Sequence, residues 1–400
     1  MSIKTENYAL ALYDAEDAIK CDEMYVKAYY RRGSAHLALN QVEKALKDFK
    51  QVCKMQPGNK DAREKFDETM KEYRIRQLQN ALGYANERVT IDTEVMQVEA
   101  SYKGPKLDKI DDISSDWVQS LMEWQRDRKV LHKKYACMIV MKARELFEAD
   151  KSLVDVTRGD DEEITVCGDI HGQYYDLLNI FKLNGIPSKE NPYLFNGDFI
   201  DRGSFSVEVI MCLLSWKVCY PEHFFMSRGN HETAQLNKLY GFYGEVQHKY
   251  DSKVYDLFND LFQHLPLSHC INKKVFVTHG GLFAKDGVKL EDIRKTPRVK
   301  EPGDEGIMVD CLWSDPNDNN GRAPSKRGIS CMFGPDVTQR FLDDNGLSKY
   351  ILSRNFDMIF LYCRIGGAIA RSEARGLRIP EGRKVLDRVF GAELLRLDGQ

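Results

Sequence analysis

The sequence lacks several features that would define its class at once. No apolar run is long enough to cross a bilayer, and the most apolar stretch, MIFLYC at 358–363, ends at Arg364. The first residues, MSIKTENYAL, contain no apolar segment of the kind found in signal peptides. The ten cysteines form no CxxC pair or regular framework, which excludes a disulfide scaffold and predicts reduced thiols. We therefore expect a cytoplasmic or nuclear protein with no membrane partner.

An excess of charge of one sign is also missing. The formal net charge of -3 gives no indication of a nucleic-acid partner, so any anion-binding site must be local. The hydrophobic fraction of 42% and the charged fraction of 30% are close to globular averages, which predicts a packed protein. The 400 residues are enough for two or three domains, because single cores rarely grow beyond about 250 residues.

The first 80 residues combine helical periodicity with a repeat. A frame of about 34 residues that ends at Pro57 places Gly33, Ala45 and Phe49 at the small and aromatic positions of a tetratricopeptide repeat (TPR). The same frame, shifted back, predicts that the chain opens partway through an earlier repeat. A further helix near 60–80 would cap the array. An ordinary amphipathic helical hairpin is the alternative to a repeat.

The composition changes after this helical part. Glycine, proline and acidic residues give 81–112 the composition of a linker. Two helices are predicted next, and the first begins near Ser115 with Asp116 as its N-cap. From Ile164 onward, short apolar strands alternate with helices. This is an α/β pattern, in which functional sites form at the carboxyl ends of the strands.

Four of these strand ends place polar residues beside glycine. The four motifs are GDIHG at 168–172, GDFIDRG at 197–203, GNHE at 229–232 and HGG at 279–281. Asp169 and His171 are two residues apart in an extended segment, so both side chains can reach one metal ion. Carboxylate, amide and imidazole donors without a thiolate suit manganese, iron or zinc. One such motif is commonly only a turn, but four in order favour a metal centre.

Through these motifs the sequence resembles the metallophosphoesterase superfamily. LWSDP at 312–316 and SKRGISCMFGPD at 325–336 follow in the order typical of the phosphoprotein phosphatases, and the TPR segment is similar to that of the TPR-containing members. The resemblance extends over about residues 5–352. It implies TPR helices followed by a calcineurin-like α/β sandwich, and an enzyme that hydrolyses phosphoserine and phosphothreonine in proteins.

The resemblance also implies a role for each matched residue. Two divalent ions of the manganese or iron/zinc type would be held by Asp169, His171, Asp198, Asn230 and His279, with Asp198 shared. Such an ion pair generates a hydroxide at neutral pH and stabilises both oxygens of an in-line displacement. His231 would protonate the departing alkoxide, and Asp201 would orient its ring. Arg202 and Arg327 would bind the phosphate oxygens.

The TPR segment indicates a protein partner. Lys27 and Arg31 are four residues apart on one helix, so both can face the concave groove of the repeat. The resemblance implies that they bind the C-terminal carboxylates of heat-shock chaperones, and that the TPR domain restrains the catalytic domain. A solvated basic face is the alternative, since part of the groove would precede Met1. Chaperone binding and restraint are both expected to be weakened for that reason.

The resemblance ends at about Leu352. The family continues with an Arg-Ser-His-Glu stretch, whose histidine completes the second metal site, but the last histidine here is His279. We therefore expect the C-terminal strands to be missing or replaced, the sheet edges to be open, and the second ion to lose one ligand. The predicted parts are TPR helices at 1–80, a linker at 81–112, a catalytic domain at 113–352 and an unrelated tail at 353–400.

Three functions stay open from the sequence. The first is an active dimetal protein phosphatase that docks on chaperones. The second is a catalytically impaired, phosphatase-like binding protein that lacks one histidine of the second metal site. The third is a metallophosphoesterase that acts on nucleotides or other esters, although LWSDP and the TPR segment argue against it.

Overall fold

The computed structural model describes residues 8–82, 88–159, 162–353, 361–365 and 393–396, and it describes most of the side chains up to residue 353. The described residues fall into two compact units. The first unit contains 8–82, 281–288 and 299–341. The second contains 88–159, 162–280, 289–298 and the described residues after 341. In the described part of the chain, no helix combines the length and apolarity needed to span a bilayer.

The helices and strands are as follows, in chain order. The helices are α1 (Tyr8–Cys21), α2 (Val26–Ala38), α3 (Val42–Met55), α4 (Lys60–Leu82), α5 (Ser115–Arg126), α6 (Lys133–Ala149), α7 (Tyr174–Asn184), α8 (Ser206–Cys219), α9 (Ala234–Tyr240), α10 (Phe242–Lys249), α11 (Ser252–His264), α12 (Leu290–Lys295), α13 (Ile307–Trp313) and α14 (Pro335–Asn345). The strands are β1 (Leu153–Val156), β2 (Ile164–Cys167), β3 (Tyr193–Phe195), β4 (Phe224–Met226), β5 (Ser268–Ile271), β6 (Val275–Thr278), β7 (Asp315–Pro316), β8 (Arg322–Pro324), β9 (Cys331–Phe333), β10 (Lys349–Leu352), β11 (Leu361–Ile365) and β12 (Glu393–Arg396).

The first unit begins with the TPR helices. α1 to α4 pack consecutively, each against the next. Gly33 of α2 faces α3 so closely that a Cβ there would lie 3.1 Å from the ring of Phe49. Arg32 of α2 also pairs with the buried Asp48 of α3, with 2.7 Å between Nη2 and Oδ1. The small and aromatic positions predicted from the repeat thus lie at the helix contact, and the TPR prediction is confirmed. The same unit contains a small sheet of strand order β7-β9-β8.

The second unit contains two sheets that face each other. One has the strand order β1-β5-β6-β10, and the other has the order β12-β11-β2-β3-β4. Val166 of β2 and Leu194 of β3 share an apolar cluster with Val277 of β6, so side chains from both sheets fill the space between them. The larger cluster lies on the outer side of the second sheet, where α5 to α8, α10 and α11 cover Phe195 and Phe224. This arrangement confirms the predicted α/β fold.

Two details differ from the sequence prediction. Ser114 rather than Asp116 is the N-cap of α5, because the Ser114 hydroxyl accepts a hydrogen bond from the Trp117 N–H at 3.3 Å. Asp116 is already inside the first turn, where a carboxylate favours the helix dipole without capping. The expectation of open sheet edges is wrong at β2, because β11 pairs antiparallel with β2, and β12 pairs parallel with β11. Backbone hydrogen bonding by residues of the tail covers this edge.

Part of the predicted linker contributes to the second unit. Val89, Ile91, Val98 and Tyr102 are partly buried against the larger apolar cluster. Composition alone pointed to a linker, because the glycines and acidic residues outnumber these apolar side chains. The predicted boundaries of the four parts stay predictions. The cysteines among the described side chains are all free, and the redox state stays a prediction.

Arg298 connects the ends of two helices inside the second unit. Its guanidinium donates hydrogen bonds to Phe147 O and Asp150 O at 2.6 Å, both at the end of α6, and to His264 O at 2.9 Å, at the end of α11. Burial lowers the pKa of Arg298 to about 10, while the charge of the Asp150 carboxylate opposes this shift, so the guanidinium stays protonated at neutral pH.

We expect Arg298→Met to lower the free energy of unfolding by about 3 kcal/mol, because three buried carbonyl groups lose their donor. Urea unfolding followed by circular dichroism measures the loss. Arg294→Met is the matched control, since Arg294 pairs with the half-exposed side chains of Glu291 and Asp155. Such pairs contribute at most about 1 kcal/mol. Equal losses of unfolding free energy in the two variants would contradict the stabilising role of the Arg298 hydrogen bonds.

Candidate metal centre

Four strand-to-loop segments of the second unit meet at one place. Asp169 and His171 follow β2, and Asp198 follows β3. Asn230 follows β4, and His279 follows β6 of the facing sheet. β2, β3 and β4 are parallel, so their carboxyl ends lie at the same edge of the sheet. The structure therefore brings together all five residues that the sequence predicted as metal ligands.

Asp198 lies at the centre of this group. Its Oδ2 is 3.6 Å from His171 Nε2 and 3.3 Å from His279 Nε2. Asp169 is on the same side, with its Oδ2 3.9 Å from His171 Nε2 and its Oδ1 3.7 Å from His279 Nδ1. The Asn230 side-chain oxygen is 2.9 Å from His279 Nε2. One carboxylate thus touches both halves of the cluster, as a ligand shared by two ions would.

Each histidine presents a defined nitrogen to the cluster. His171 Nδ1 donates to Ile200 O and His279 Nδ1 donates to Asn196 O, both at 2.9 Å. The Nε2 atoms are therefore the ones left to bind a metal, and the carbonyl partners fix the ring orientations as in known metal sites. Burial lowers the pKa of His171 to about 3, so its ring is neutral at pH 7, the form a ligand needs. The donor set fits divalent transition-metal ions.

The backbone around the cluster is strained at four residues other than glycine. His171, Asp198, Asp201 and Arg202 have φ values of 45°, 53°, 69° and 64°. A left-handed conformation costs roughly 1 to 2 kcal/mol for each such residue. The strain is held in part by hydrogen bonding, since the His171 N–H donates to Asp198 O at 2.9 Å. Strained residues concentrated in one site are typical of functional loops.

Glycine allows the loops to approach one another. A Cβ at Gly229 would overlap the backbone N and the Oδ1 atom of Asp198. Any other residue at this position would push the loop after β4 away from the loop after β3. The glycine of GNHE is thus required by the close packing of the two loops.

His231 and Asp201 form a fully buried pair beside the cluster. His231 Nδ1 is 2.8 Å from Asp201 Oδ2, and the His231 backbone N–H donates to Asp198 Oδ1 at 2.9 Å. Arg202 Nη2 is 3.5 Å from His231 Nε2, and its guanidinium lies 5.9 Å from the centroid of the Tyr240 ring. A ring nitrogen of His231 is also close enough to ligand atoms of His171 and Asp198 for the three residues to share an ion. Its role as proton donor stays a prediction.

Glu232 is a residue to which the sequence analysis gave no role. Its buried carboxylate accepts hydrogen bonds from the backbone N–H groups of Asp198 and Phe199 at 2.9 Å and of Gly229 at 2.8 Å. It therefore ties the loop after β3 to the loop after β4. Burial raises the pKa of Glu232 to about 7, while the N–H donors favour its charged form. The only sequence signal for this residue is an acidic side chain within GNHE, and that motif does not indicate which N–H groups the carboxylate would bind.

The remaining predicted residues lie in the first unit. Arg327 is in the turn between β8 and β9, and its Nε is 2.7 Å from Asp315 Oδ2. Lys27 and Arg31 lie one turn apart on α2, and both are exposed. Their predicted roles in phosphate and peptide binding stay predictions.

Known proteins resemble this chain over most of its length. Residues 163–353 match the calcineurin-like phosphoesterase family, 66–155 match the PPP5 TPR repeat region, and 26–59 match the tetratricopeptide repeat. Human serine/threonine-protein phosphatase 5 is 49% identical over 355 residues, which cover 88% of this chain and 71% of the human protein. Serine/threonine-protein phosphatase T of Trypanosoma brucei brucei is 43% identical and covers 88% of this chain and 75% of that protein.

A solved structure gives the same result. A protein serine/threonine phosphatase from Saccharomyces cerevisiae, described as similar to human phosphatase PP5, is 40% identical with a TM-score of 0.58. The match covers 60% of this chain and 76% of the yeast chain.

We expect Glu232→Gln to lower the affinity for Mn²⁺ by about 10 to 100-fold, because an amide NH₂ replaces one acceptor of the N–H groups that position Asp198. Calorimetric titration of the metal-free protein with Mn²⁺ measures this affinity. Asp260→Asn is the control, since it disrupts a buried ion pair with Arg144 (2.7 Å) that does not touch the cluster. It should destabilise the fold and leave Mn²⁺ affinity unchanged. An unchanged affinity in Glu232→Gln would contradict the role of Glu232.

Proposed function

Because the chain belongs to the serine/threonine-protein phosphatase 5 family, we propose that it hydrolyses phosphoserine and phosphothreonine in proteins at a centre of two divalent ions. The observation that supports this most directly is the convergence of Asp169, His171, Asn230 and His279 around Asp198. The Nδ1–H groups of His171 and His279 donate to Ile200 O and Asn196 O, which leaves each Nε2 directed toward the carboxylates.

The metal assignment follows the halves of the cluster. Asp169, His171 and Asp198 would hold one ion, and Asp198, Asn230 and His279 would hold the other. Manganese, iron or zinc suits this mixture of oxygen and imidazole donors. When bound, such ions stabilise negative charge on the phosphoryl group and acidify the attacking water.

Side chains beside the metal ligands would protonate the leaving group and bind the phosphoryl oxygens. The Nδ1–H of His231 donates a hydrogen bond to Asp201 and keeps its proton. Nε2 is therefore the atom that gives a proton to the departing serine oxygen. Arg202, exposed beside Nε2, would bind the phosphoryl oxygens. The Tyr240 ring restricts the Arg202 guanidinium through its face. We propose no covalent phosphoryl-enzyme intermediate, because attack by a metal-activated water requires none.

The first unit would supply the protein partner. We propose that Lys27 and Arg31 of the TPR helices bind the C-terminal carboxylates of a heat-shock chaperone in the cytoplasm or nucleus. Both side chains are exposed and lie on one side of α2, and two cations at this spacing match an acidic terminus.

A catalytically impaired binding protein is the second candidate. The observation that favours it is the absence of any histidine after His279 in the sequence, which leaves the second ion with Asp198, Asn230 and His279. In that case phosphoproteins and metal would bind without turnover.

Metal-dependent hydrolysis of a phosphothreonine peptide tests the enzymatic proposal. We expect protein stripped with a chelator to be inactive, and Mn²⁺ to restore turnover. Asp198→Asn should lose more activity than the roughly 100-fold typical of supporting residues, because a shared ligand loses its charge. Asp155→Asn, a half-exposed carboxylate paired with Arg294, should behave as wild type. Metal and peptide binding without turnover under any metal would contradict the phosphatase proposal and establish the binding protein.

Peptide binding tests the role of the TPR cations separately. Replacing Lys27 and Arg31 by alanine should weaken binding of a peptide with an acidic C-terminus about 10-fold, equivalent to ~1.4 kcal/mol. Fluorescence anisotropy measures the affinity. Lys54→Ala, an exposed lysine of α3, is the control and should leave it unchanged. Equal affinity of the double variant and wild type would exclude these two residues as the docking site.

A further inference from the structure

We propose that Asn237 is a positioning residue for the proton donor of the reaction. It holds Asp201 and His231 in one fixed arrangement, so that Nε2 of His231 faces the departing oxygen. The inference rests on the proposed phosphatase function and adds to it a residue outside the four sequence motifs. Three observations carry it: the contacts of the Asn237 amide, the set of donors around Asp201, and an amide oxygen buried without a partner.

The Asn237 side chain contacts both members of the pair. Asn237 lies in α9 and is fully buried. Its Nδ2 donates to Asp201 Oδ2 at 3.1 Å and to the backbone oxygen of His231 at 2.6 Å. Both partners only accept hydrogen bonds, so the opposite orientation of the amide would place oxygen against oxygen. The hydrogen-bond network therefore fixes which end of the amide faces the pair.

Asp201 receives donors from three directions. Its Oδ2 accepts from His231 Nδ1 at 2.8 Å and from Asn237 Nδ2, while its Oδ1 accepts from the Phe242 N–H at 3.0 Å. The oxygen that orients the imidazole is thus the same oxygen that Asn237 binds. Without Asn237, the Phe242 N–H is, among the described residues, the one donor besides His231 itself that still fixes the Asp201 carboxylate, so the carboxylate orients the imidazole less firmly.

The oxygen of the Asn237 amide shows that packing alone does not account for an asparagine at this position. Within the described residues, Asn237 Oδ1 is buried and has no hydrogen-bond partner. A buried polar atom without a partner costs free energy, and an apolar side chain of similar volume would avoid that cost. An amide at this position is accounted for by what its nitrogen does for Asp201 and His231.

The effect of a misplaced His231 imidazole on the reaction rate depends on the leaving group of the substrate. When the P–O bond to serine breaks, the departing alkoxide is strongly basic and needs the proton from His231 Nε2. A nitrophenolate leaves without a proton because its charge is delocalised. A poorly positioned imidazole therefore slows the hydrolysis of a phosphoserine peptide and leaves the hydrolysis of nitrophenyl phosphate nearly unaffected.

Asn237→Leu tests the proposal by this difference. We expect kcat for a phosphoserine peptide to fall about 10 to 100-fold with little change in KM, and kcat for nitrophenyl phosphate to fall less than about 3-fold. Asn184→Leu is the matched control. Its amide donates to Thr165 Oγ1 at 2.8 Å and to the Tyr193 hydroxyl at 2.7 Å, away from the pair, so the ratio of the two rates should stay at the wild-type value.

A second measurement needs no turnover. In the metal-free wild type, the buried His231 Nδ1 proton should give a downfield NMR signal that exchanges slowly with water, and the signal should broaden or move upfield in Asn237→Leu. An unchanged signal, or an equal loss on both substrates, would overturn the role of Asn237. A wild type inactive on both substrates would instead contradict the proposed function, and the NMR signal would still decide the role of Asn237.

Discussion

The arrangement of the site depends on the contacts of one carboxylate, that of Asp198. Its Oδ2 lies between the Nε2 atoms of His171 and His279, and its Oδ1 accepts the backbone N–H of His231. The Asp198 residue itself is held in a left-handed conformation, with its N–H bound to the buried Glu232 carboxylate. Burying this much like charge is unfavourable unless cations or hydrogen-bond donors balance it. The donors come from the neighbouring strand ends, so the geometry of the candidate metal site depends on the pairing of the strands.

Much of this centre follows from sequence alone. Parallel strands end at the same edge of a sheet, so side chains after β2, β3 and β4 had to meet, and the spacing of Asp169 and His171 predicted that they share one ion. The roles of Glu232 and Asn237 depend instead on which backbone groups tertiary folding brings to them. No local sequence pattern predicts a buried carboxylate that accepts hydrogen bonds from the N–H groups of two loops. The same is true of an amide that donates hydrogen bonds to both residues of a distant pair.

Other features escaped prediction for similar reasons. A left-handed conformation is expected at glycine, yet His171, Asp198, Asp201 and Arg202 also adopt it, because the surrounding hydrogen bonds outweigh the local preference. The N-cap of α5 is two residues earlier than predicted, because the Ser114 hydroxyl lies within hydrogen-bond distance of the Trp117 N–H. The strand pairing of β11 with β2 was not foreseen, since a tail with no familiar motif carries no signal of where its backbone will pair.

The proposed centre holds two metal ions that share Asp198 at the strand ends of the second unit. Anomalous diffraction from crystals soaked in Mn²⁺ would locate these ions. We expect two peaks about 3.5 to 4 Å apart, one on the side of Asp169 and His171 and the other on the side of Asn230 and His279. A single peak, or none within reach of Asp198, would contradict this proposal.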